Sequence, residues 1–273
     1  MRALVPGSVG EGHDVRVGLD GEVGVHIDVA ADGSWRATSP VTDAARAVLD
    51  LYLPLRVAAD LVIGQLGQSL DGRIATASGA SHFVTGAKDI ERLHRLRAMV
   101  DAVIVGTETV AQDDPRLTVR LAEGPNPVRV VLDPSGRLDS ARRIFTEGDA
   151  RTLVVRKATT PAGSVDEVAG DELRVPWTEA GGLDLTALLA ALRGRGLRRI
   201  LVEGGGVTVS RFLGAGLLDR LHLTVAPILI GSGRPSITLD AIATLEHALR
   251  PECRRFTLGE DVLFDLDLRA RSA

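Results

Sequence analysis

A glycine-rich turn after an apolar strand is the strongest chemical signal in the sequence. In RILVEGGGVTVSRFLGAG, the strand runs into Glu203, three glycines follow, and a helix begins near Val207. Glycines let a backbone approach a ligand closely, and the free N–H groups of a helix N-terminus attract an anion. Gly204 and Gly206 fit the start of a dinucleotide fingerprint, but Val209 stands where its third glycine belongs. A tight turn without ligand fits the spacing equally well, and Glu203 at a strand's carboxyl end favours a ligand site.

An arginine on the apolar face of a predicted helix is the second signal. The helix spans Ala87 to Ala98, and Arg97 lies about 20° from Ile90 around its axis, inside the apolar stripe. Arg92 and Arg95 fall outside that stripe. Because an unpaired buried charge is costly, Arg97 needs an anionic partner. That partner is either a carboxylate of the protein or a phosphate or carboxylate of a ligand, which the planar guanidinium suits.

Three loops at predicted strand ends supply further polar residues. QLGQSLDGRIATASGASHFVTG is long for a simple connection, and GTETVAQDDPRLTVR follows the apolar strand DAVIVG. The glycine-rich PILIGSGR is a third element that could complete a pocket. Asp113 and Asp114 are adjacent and so do not face each other as a catalytic pair. The six histidines show no metal-ligand spacing, and we predict no metal site.

Strands and helices that alternate from Leu61 onward must position these residues. Continuous apolar strands indicate burial on both faces, and the alternation predicts an α/β fold with a mostly parallel sheet. The predicted strands are Leu61–Gly67, Asp101–Gly106, Val128–Asp133, Thr152–Arg156, Leu173–Trp177, Arg199–Glu203 and Arg220–Val225. The predicted helices are Ala87–Ala98, Leu183–Arg193 and Val207–Ala215. Phe256–Leu258 and Val262–Leu268 predict a C-terminal antiparallel hairpin.

The first 56 residues predict a separate extension, with residues 57–273 as the main domain. Two short alternating runs, Val15–Gly18 and Val23–Asp28, are joined through Asp20-Gly21, which is a hairpin signal. Thr42 is predicted to cap a helix that runs to about Leu53, where Pro54 should stop it. No chemistry is evident in this extension.

Composition excludes several classes of protein. The chain has 273 residues, 45% hydrophobic and 25% charged, with a formal net charge of −4. These values exclude a disordered chain and a strongly basic nucleic-acid binder. The single Cys253 cannot form an intramolecular disulfide, which favours a reducing compartment. Because no apolar run reaches membrane-span length and the N-terminus lacks a secretory signal, we expect a cytoplasmic protein.

Four motifs in order resemble the reductase domain of the bifunctional riboflavin biosynthesis deaminase/reductase. They are SLDGRIA with SGASHF, the T-V-x-x-DDP-x-LTVR run, the VLD strand at Asp133, and EGGG with its helix followed by AP-x-L-x-G. The resemblance covers about Leu61 to Leu268. It implies a dihydrofolate reductase-like fold: a mostly parallel sheet with helices on both faces and a C-terminal antiparallel hairpin.

The resemblance implies NADPH-dependent hydride transfer to C1′ of 5-amino-6-(5-phosphoribosylamino)uracil, which gives the ribitylamino product. The implied substrate contacts are Ser81, Arg97, Leu117, Arg120 and Glu203, with Arg97 and Arg120 on the 5′-phosphate. The implied cofactor contacts are Gly67, Phe83, Thr85, Thr109, Asp113, Ser135 and the segment from Gly205 to Arg211, which includes Gly206, Val207 and Thr208. Asp113 and Glu203 are the candidate catalytic acids, and the sequence does not choose between them.

Departures from the family pattern leave alternatives open. Gln65 stands where members often have lysine, which puts the exact substrate in question. No deaminase segment is present, so a separate deaminase is expected, and the resemblance suggests a homodimer. The alternatives are a reductase of the same fold for another pterin or pyrimidine, and a nucleotide-binding sensor without turnover.

Overall fold

The computed structural model describes residues 15–18, 26–82, 84–158, 166–167, 171–178 and 182–269. The chain forms two compact units, Met1–Leu61 and Val62–Ala273. The predicted turn at Asp20-Gly21 and the predicted cofactor residue Phe83 lie outside the described residues. Within the described part, no helix is both long and apolar enough to cross a membrane.

The two units contain short strands and six α-helices within the described residues. The strands are β1 (Val15–Gly18), β2 (His26–Val29), β3 (Trp35–Ala37), β4 (Leu61–Ser69), β5 (Arg73–Thr76), β6 (Ala102–Gly106), β7 (Val128–Leu132), β8 (Thr152–Lys157), β9 (Asp166–Glu167), β10 (Glu172–Val175), β11 (Arg199–Val202), β12 (Arg220–Ala226), β13 (Gly233–Pro235), β14 (Glu252–Leu258) and β15 (Asp261–Asp267). The helices are α1 (Asp43–Val57), α2 (Ala87–Arg97), α3 (Thr107–Asp113), α4 (Arg143–Thr146), α5 (Leu185–Gly194) and α6 (Gly206–Gly214), with one 3-10 turn at Leu245–His247.

A ten-stranded sheet organises the second unit, in the order β14-β15-β12-β4-β11-β6-β7-β8-β10-β9. The pairings β11–β6, β6–β7, β7–β8 and β8–β10 are parallel, and so is that of β12 with β4, whereas β9 runs antiparallel to β10 at the sheet edge. The C-terminal hairpin of β14 and β15 is antiparallel and pairs with β12. The predicted fold class, a mostly parallel sheet that ends in antiparallel strands, is confirmed.

The interior strands owe their position to continuous apolar runs. The stretch Ala102–Val105 of β6 is fully buried, and so is Ile200–Val202 of β11. A strand without a polar alternate residue is stable only where both of its faces are covered. Leu188, Leu192 and Phe212 of α5 and α6 pack into the same core.

Strand β5 pairs antiparallel with β13 in a separate two-stranded sheet that the sequence did not predict. The pair joins the two loops that contain SLDGRIA and PILIGSGR. Asp71 reinforces the junction, because its carboxylate accepts the backbone N–H groups of Ile230 and Gly231 and the Ser69 hydroxyl. These hydrogen bonds, led by that of Ser69, lower the Asp71 pKa to about 2.

The first unit is a three-stranded antiparallel sheet, β1-β2-β3, followed by α1. Thr42 caps α1 as predicted, since its hydroxyl accepts the Ala45 N–H. The predicted stop at Pro54 is wrong, because α1 continues to Val57. A proline this near the end of a helix removes only one hydrogen bond of the last turns. Gly33 packs against Pro54, where the Cβ of any other residue would collide with the proline.

Candidate active site

A cleft of about 850 Å³ opens at the carboxyl ends of the central strands. Residues that directly follow β6, β7 and β11 line it, including Thr107, Pro134 and Glu203. Residues of β4, α2 and α6 complete the walls. This is the edge at which open α/β sheets bind ligands, because the loops after parallel strands converge there.

Most residues that the resemblance implies for substrate and cofactor line this one cleft. They are Gly67, Ser81, Thr85, Arg97, Thr109, Asp113, Leu117, Glu203, Gly205, Gly206, Val207 and Thr208. Arg120 and Ser135 are not among the lining residues, and Ser135 lies in an exposed turn. The loop PILIGSGR contributes Arg234.

The glycine-rich turn before α6 has structural reasons for two of its three glycines. Gly204 has a φ of +100°, a region that glycine adopts without strain. A Cβ on Gly206 would collide with the backbone carbonyl of Ser236. The Gly205 N–H donates to the Thr109 hydroxyl over 2.8 Å. The turn therefore holds the start of α6 against the cleft, with Val207 and Thr208 along its wall.

Arg97 and Glu203 form a buried ion pair inside the cleft. Arg97 Nε and Nη2 donate to the two oxygens of Glu203 over 2.9 and 2.8 Å. Of the two partners that the sequence left open for Arg97, the protein carboxylate is the one present. The bidentate geometry fixes both side chains, and Arg97 Nη1 also faces the Thr118 carbonyl at 3.4 Å.

Positive charge accumulates beside this ion pair. Arg120 lies next to it as an exposed residue, and partial burial of its guanidinium together with the charges of Arg97 and Arg116 lowers the Arg120 pKa. Burial, followed by the charges of Arg97 and Arg120, lowers the His94 pKa to about 4. His94 is thus neutral at pH 7, and its Nδ1 accepts the Arg120 backbone N–H over 3.0 Å. An anion bound here would relieve the repulsion between the arginines.

Asp113, at the end of α3, is the second acidic group on the cleft wall. Its Oδ1 accepts the Ser81 hydroxyl over 2.9 Å, so a predicted catalytic residue contacts a predicted substrate residue. Leu117 is buried nearby with a φ of +56°. A residue other than glycine is strained in that conformation, and such strain is concentrated at functional sites.

In the middle of α2, a second buried arginine joins the cleft to strand β12. Arg92 Nε donates to Asp89 Oδ1 over 2.8 Å and Arg92 Nη2 donates to Gln65 Oε1 over 2.5 Å. Arg92 Nη1 lies 3.0 Å from His222 Nδ1, which must accept because a guanidinium only donates. Asp89 and Gln65 line the cleft, and all four side chains are buried.

The sequence reasoning missed this cluster. The sequence pattern placed Arg92 outside the apolar stripe of α2. Its side chain is nevertheless buried, among polar residues. Apolar periodicity identifies only helix faces that meet apolar neighbours. The available signal was the spacing of Asp89 and Arg92, three residues apart on one helix face.

The far end of the cleft combines apolar and cationic groups. Trp177, Leu183 and Leu185 form one wall, and Arg137 and Arg211 lie on the cleft as well. Arg137 pairs with the exposed Glu108, and Lys157 lies 4.4 Å above the Trp177 ring. In the described part of the chain, no group of three histidine, cysteine or acidic residues could hold a metal ion.

Comparisons with known proteins agree with this architecture. Residues 60–263 match the family model described as RibD C-terminal domain. The chain is 36% identical over 215 residues to 2,5-diamino-6-ribosylamino-4(3H)-pyrimidinone 5′-phosphate reductase of Methanothermobacter thermautotrophicus, covering 76% of this chain and 98% of that protein. It is 32% identical to riboflavin biosynthesis protein RibD of Aquifex aeolicus, covering 72% of this chain and 54% of that protein.

A solved structure gives the same result. The deaminase/5-amino-6-(5-phosphoribosylamino)uracil reductase of Thermotoga maritima superposes with a TM-score of 0.63 at 26% identity. The match covers 76% of this chain and 56% of that one, so this chain spans about half the length of the bifunctional protein.

Proposed function

Because the chain belongs to the RibD C-terminal domain family, we propose that it is the pyrimidine reductase of riboflavin biosynthesis. The reaction is NADPH-dependent reduction of a ribosylaminopyrimidine 5′-phosphate at C1′ to the ribitylamino product. The observation that carries the proposal is that one cleft contains twelve of the implied substrate and cofactor residues.

The far end of the cleft fits a dinucleotide. The amino end of α6 presents Val207 and Thr208 to the cleft, where a helix N-terminus attracts phosphate. Arg137 and Arg211 offer further hydrogen-bond donors to the phosphate groups, and the apolar wall around Trp177 suits an adenine ring. When bound, NADPH supplies the hydride that reduces the sugar carbon.

The near end of the cleft fits the phosphorylated sugar. We place the 5′-phosphate beside Arg97 and Arg120, where the cationic groups exceed their carboxylate partners. The Arg97–Glu203 pair is rigid and buried, so it fixes the position of the sugar without bulk water.

Reduction requires an opened sugar ring, and Asp113 is the better placed acid. The C1′–O4′ bond breaks as O4′ takes a proton and the nitrogen lone pair forms the C=N bond. Hydride addition at C1′ then returns that electron pair to nitrogen. Both oxygens of Glu203 already accept from Arg97, whereas no described residue donates to Asp113 Oδ2. We assign the proton transfer to Asp113 and stabilisation of the cationic C=N form to Glu203.

The test is NADPH oxidation at 340 nm with the ribosylaminopyrimidine 5′-phosphate, followed by mass identification of the ribitylamino product. NADH in place of NADPH serves as the control for cofactor preference. Substrate-dependent oxidation with the reduced product supports the proposal. NADPH binding without turnover of any ribosylaminopyrimidine phosphate would refute the reaction and leave only a nucleotide-binding fold.

The role of Asp113 is tested by Asp113→Asn, which should lower kcat by about 10²- to 10⁴-fold while NADPH affinity is retained. Asp114→Asn is the control, because Asp114 follows α3 and does not line the cleft. Equal losses in the two variants would mean that Asp113 acts only through the fold.

A further inference from the structure

Arg129 is buried on strand β7, yet in the described part of the chain it forms no ion pair with a carboxylate. Val130 and Leu132 of the same strand belong to the core that α5 and α6 share, and Val128 packs against it. Because side chains alternate along a strand, Arg129 points to the opposite face of the sheet. A buried guanidinium is costly unless hydrogen bonds replace the water that it has lost. Acceptors for its N–H groups must therefore lie on that face.

Backbone carbonyls of two loops are these acceptors. Arg129 Nη2 donates to the carbonyls of Glu147 and Ala150 over 2.9 and 2.5 Å. Arg129 Nη1 lies 3.4 Å from the carbonyl of Arg116, in the segment between α3 and β7. One side chain thus joins that segment to the loop before β8.

An exposed asparagine bridges the same two loops. Asn126 Oδ1 accepts the Val119 N–H over 2.7 Å, and Asn126 Nδ2 donates to the carbonyl of Asp149 over 2.8 Å. A backbone N–H only donates and a carbonyl only accepts, so the orientation of this amide is fixed. Asn126 is thus a second link between the loops.

The linked segment, residues 114–120, has a strained backbone. It contains no helix or strand, and Asp114 and Leu117 have φ angles of +42° and +56°. Residues other than glycine disfavour this left-handed region. Such a conformation persists only where the surrounding structure imposes it. Arg129 and Asn126 are part of that surrounding structure.

The same segment supplies residues of the cleft. Leu117 lines it, and the Thr118 carbonyl faces Arg97 Nη1 at 3.4 Å. The Thr118 hydroxyl accepts a hydrogen bond from Arg120 Nη1 over 2.8 Å, which orients that guanidinium. Arg129 does not line the cleft, so its link to the cleft runs through this segment.

We propose that Arg129 is a positioning residue, which fixes the strained 114–120 segment so that Arg120 and Leu117 are held where the sugar phosphate binds. Asn126 supports the same fixation from the protein surface. The inference rests on the proposed function, in which Arg120 binds the 5′-phosphate. It assigns control of substrate affinity to a residue outside the cleft.

The first experiment measures the binding of ribose 5-phosphate and of NADPH by calorimetry, in the unmodified protein and in Arg129→Lys. Lysine keeps the charge, but its single ammonium group cannot span the carbonyls that the guanidinium fork reaches. The Kd for ribose 5-phosphate should rise about 10-fold, with the Kd for NADPH unchanged. An unchanged Kd for ribose 5-phosphate, or equal losses for both ligands, would overturn the inference.

Arg199→Lys is the matched control, because Arg199 also lies on a central strand but pairs with Asp101 and does not line the cleft. It should leave both Kd values unchanged. Binding of ribose 5-phosphate without turnover of any ribosylaminopyrimidine phosphate would refute the proposed function and leave the positioning role intact. No binding of ribose 5-phosphate by the unmodified protein would refute the positioning role.

A double-variant cycle with Arg120→Ala tests the route of the effect. If Arg129 acts through Arg120, the removal of Arg120 takes away the group that Arg129 positions on the phosphate. Arg129→Lys/Arg120→Ala should then bind ribose 5-phosphate as Arg120→Ala does, within about 2-fold. Losses that multiply in the double variant would mean that Arg129 acts by another route, and the assignment would be wrong.

Asn126→Leu decides the question if Arg129→Lys does not fold. Asn126 is exposed, and leucine keeps the branched shape of its side chain while removing both hydrogen bonds. The Kd for ribose 5-phosphate should rise about 5-fold, with that for NADPH unchanged, and the effect should disappear in the Arg120→Ala background. Unchanged binding of ribose 5-phosphate in Asn126→Leu would overturn the inference.

Discussion

At the carboxyl end of α2, Arg97 engages both oxygens of Glu203, whereas Arg92 in the middle of the helix engages one oxygen of Asp89 in the first turn. In the first pair, each carboxylate oxygen already accepts one hydrogen bond from the arginine. The second leaves Asp89 Oδ2 open to the cleft. Two buried ion pairs on one helix thus differ in the hydrogen-bonding capacity that they leave unused.

The surroundings of Arg97 and Arg92 also differ in their net charge. Arg120 and Arg116 add positive charge beside Arg97, and their mutual repulsion contributes to the lowered Arg120 pKa. Beside Arg92, Asp265 balances the charge, since His222 and Arg220 both contact it. The region around Arg97 therefore carries an excess of positive charge, whereas the charges around Arg92 are balanced.

The largest effect expected is on the stability of Arg97→Ala. Truncation leaves Glu203 buried and unpaired, which costs about 3–5 kcal/mol. Urea unfolding at pH 7 measures this loss. A role of Arg97 as a phosphate ligand alone, as the resemblance implies, would instead give mainly a rise in KM of about 10- to 100-fold.

The double variant Arg97→Met/Glu203→Leu is the control for this prediction. Removing both charges should recover most of the stability, while activity stays lost because the cleft has lost both groups. If the single variant were as stable as the double variant, water would reach Glu203 and the pair would not be a buried one.

The strands were predictable because their signal is local. Strand β6 is a continuous apolar run between polar residues, and it was placed within one residue of its observed start. The pairing of β5 with β13 was missed, because both strands are short and the contact joins residues about 160 positions apart in the chain. The pairing register of two short strands that are distant in the chain produces no recognisable pattern in the sequence of either strand.

The site was predictable only in part, for a related reason. The burial of Arg97 followed from its position among apolar neighbours, but two partners remained possible. The spacing of residues cannot show that Glu203, 106 positions away, returns to the same point. Asp89 and Arg92 read as an ordinary helix pair, since their burial depends on His222 and Gln65 from other strands.

The phosphate end can be separated from the ion pair by Arg120→Ala. Arg120 pairs with no carboxylate among the described residues and donates to Thr118, so its loss should leave folding largely intact. A charge-assisted hydrogen bond contributes about 1.5–3 kcal/mol, so the substrate KM should rise about 10- to 100-fold. Steady-state kinetics with saturating NADPH measures it.

Two controls make this result specific. Arg116→Ala removes a neighbouring exposed cation that already pairs with Glu147, and it should change KM much less. The substrate without its phosphate should bind equally to the unmodified protein and to Arg120→Ala. If Arg120→Ala weakened both compounds alike, the cationic end would not be the phosphate site.

A neutral histidine lies beside each of the two arginines, His94 on α2 near Arg97 and His222 on β12 against Arg92, and their titration gives a smaller effect that tests both regions at once. Burial is the main cause that lowers the pKa of His94 and His222 from 6.5 to about 4, and arginines contribute in both cases. The unfolded chain therefore binds more protons than the folded protein between those pH values. Stability must decline as the pH falls from 6.5 toward 4, by on the order of 1–2 kcal/mol per histidine at pH 5.

Urea unfolding at pH 7 and pH 5 measures the decline, and His94→Gln and His222→Gln separate the contributions. Glutamine keeps an acceptor for the Arg120 N–H or for Arg92 but cannot titrate, so each variant should remove about half of the pH-dependent loss. If His222→Gln still showed the whole decline in unfolding free energy between pH 7 and pH 5, and His94→Gln showed none of it, all the pH sensitivity would lie at His94, beside Arg97 and Arg120. The opposite result would locate the sensitivity where His222 meets Arg92 and Asp265.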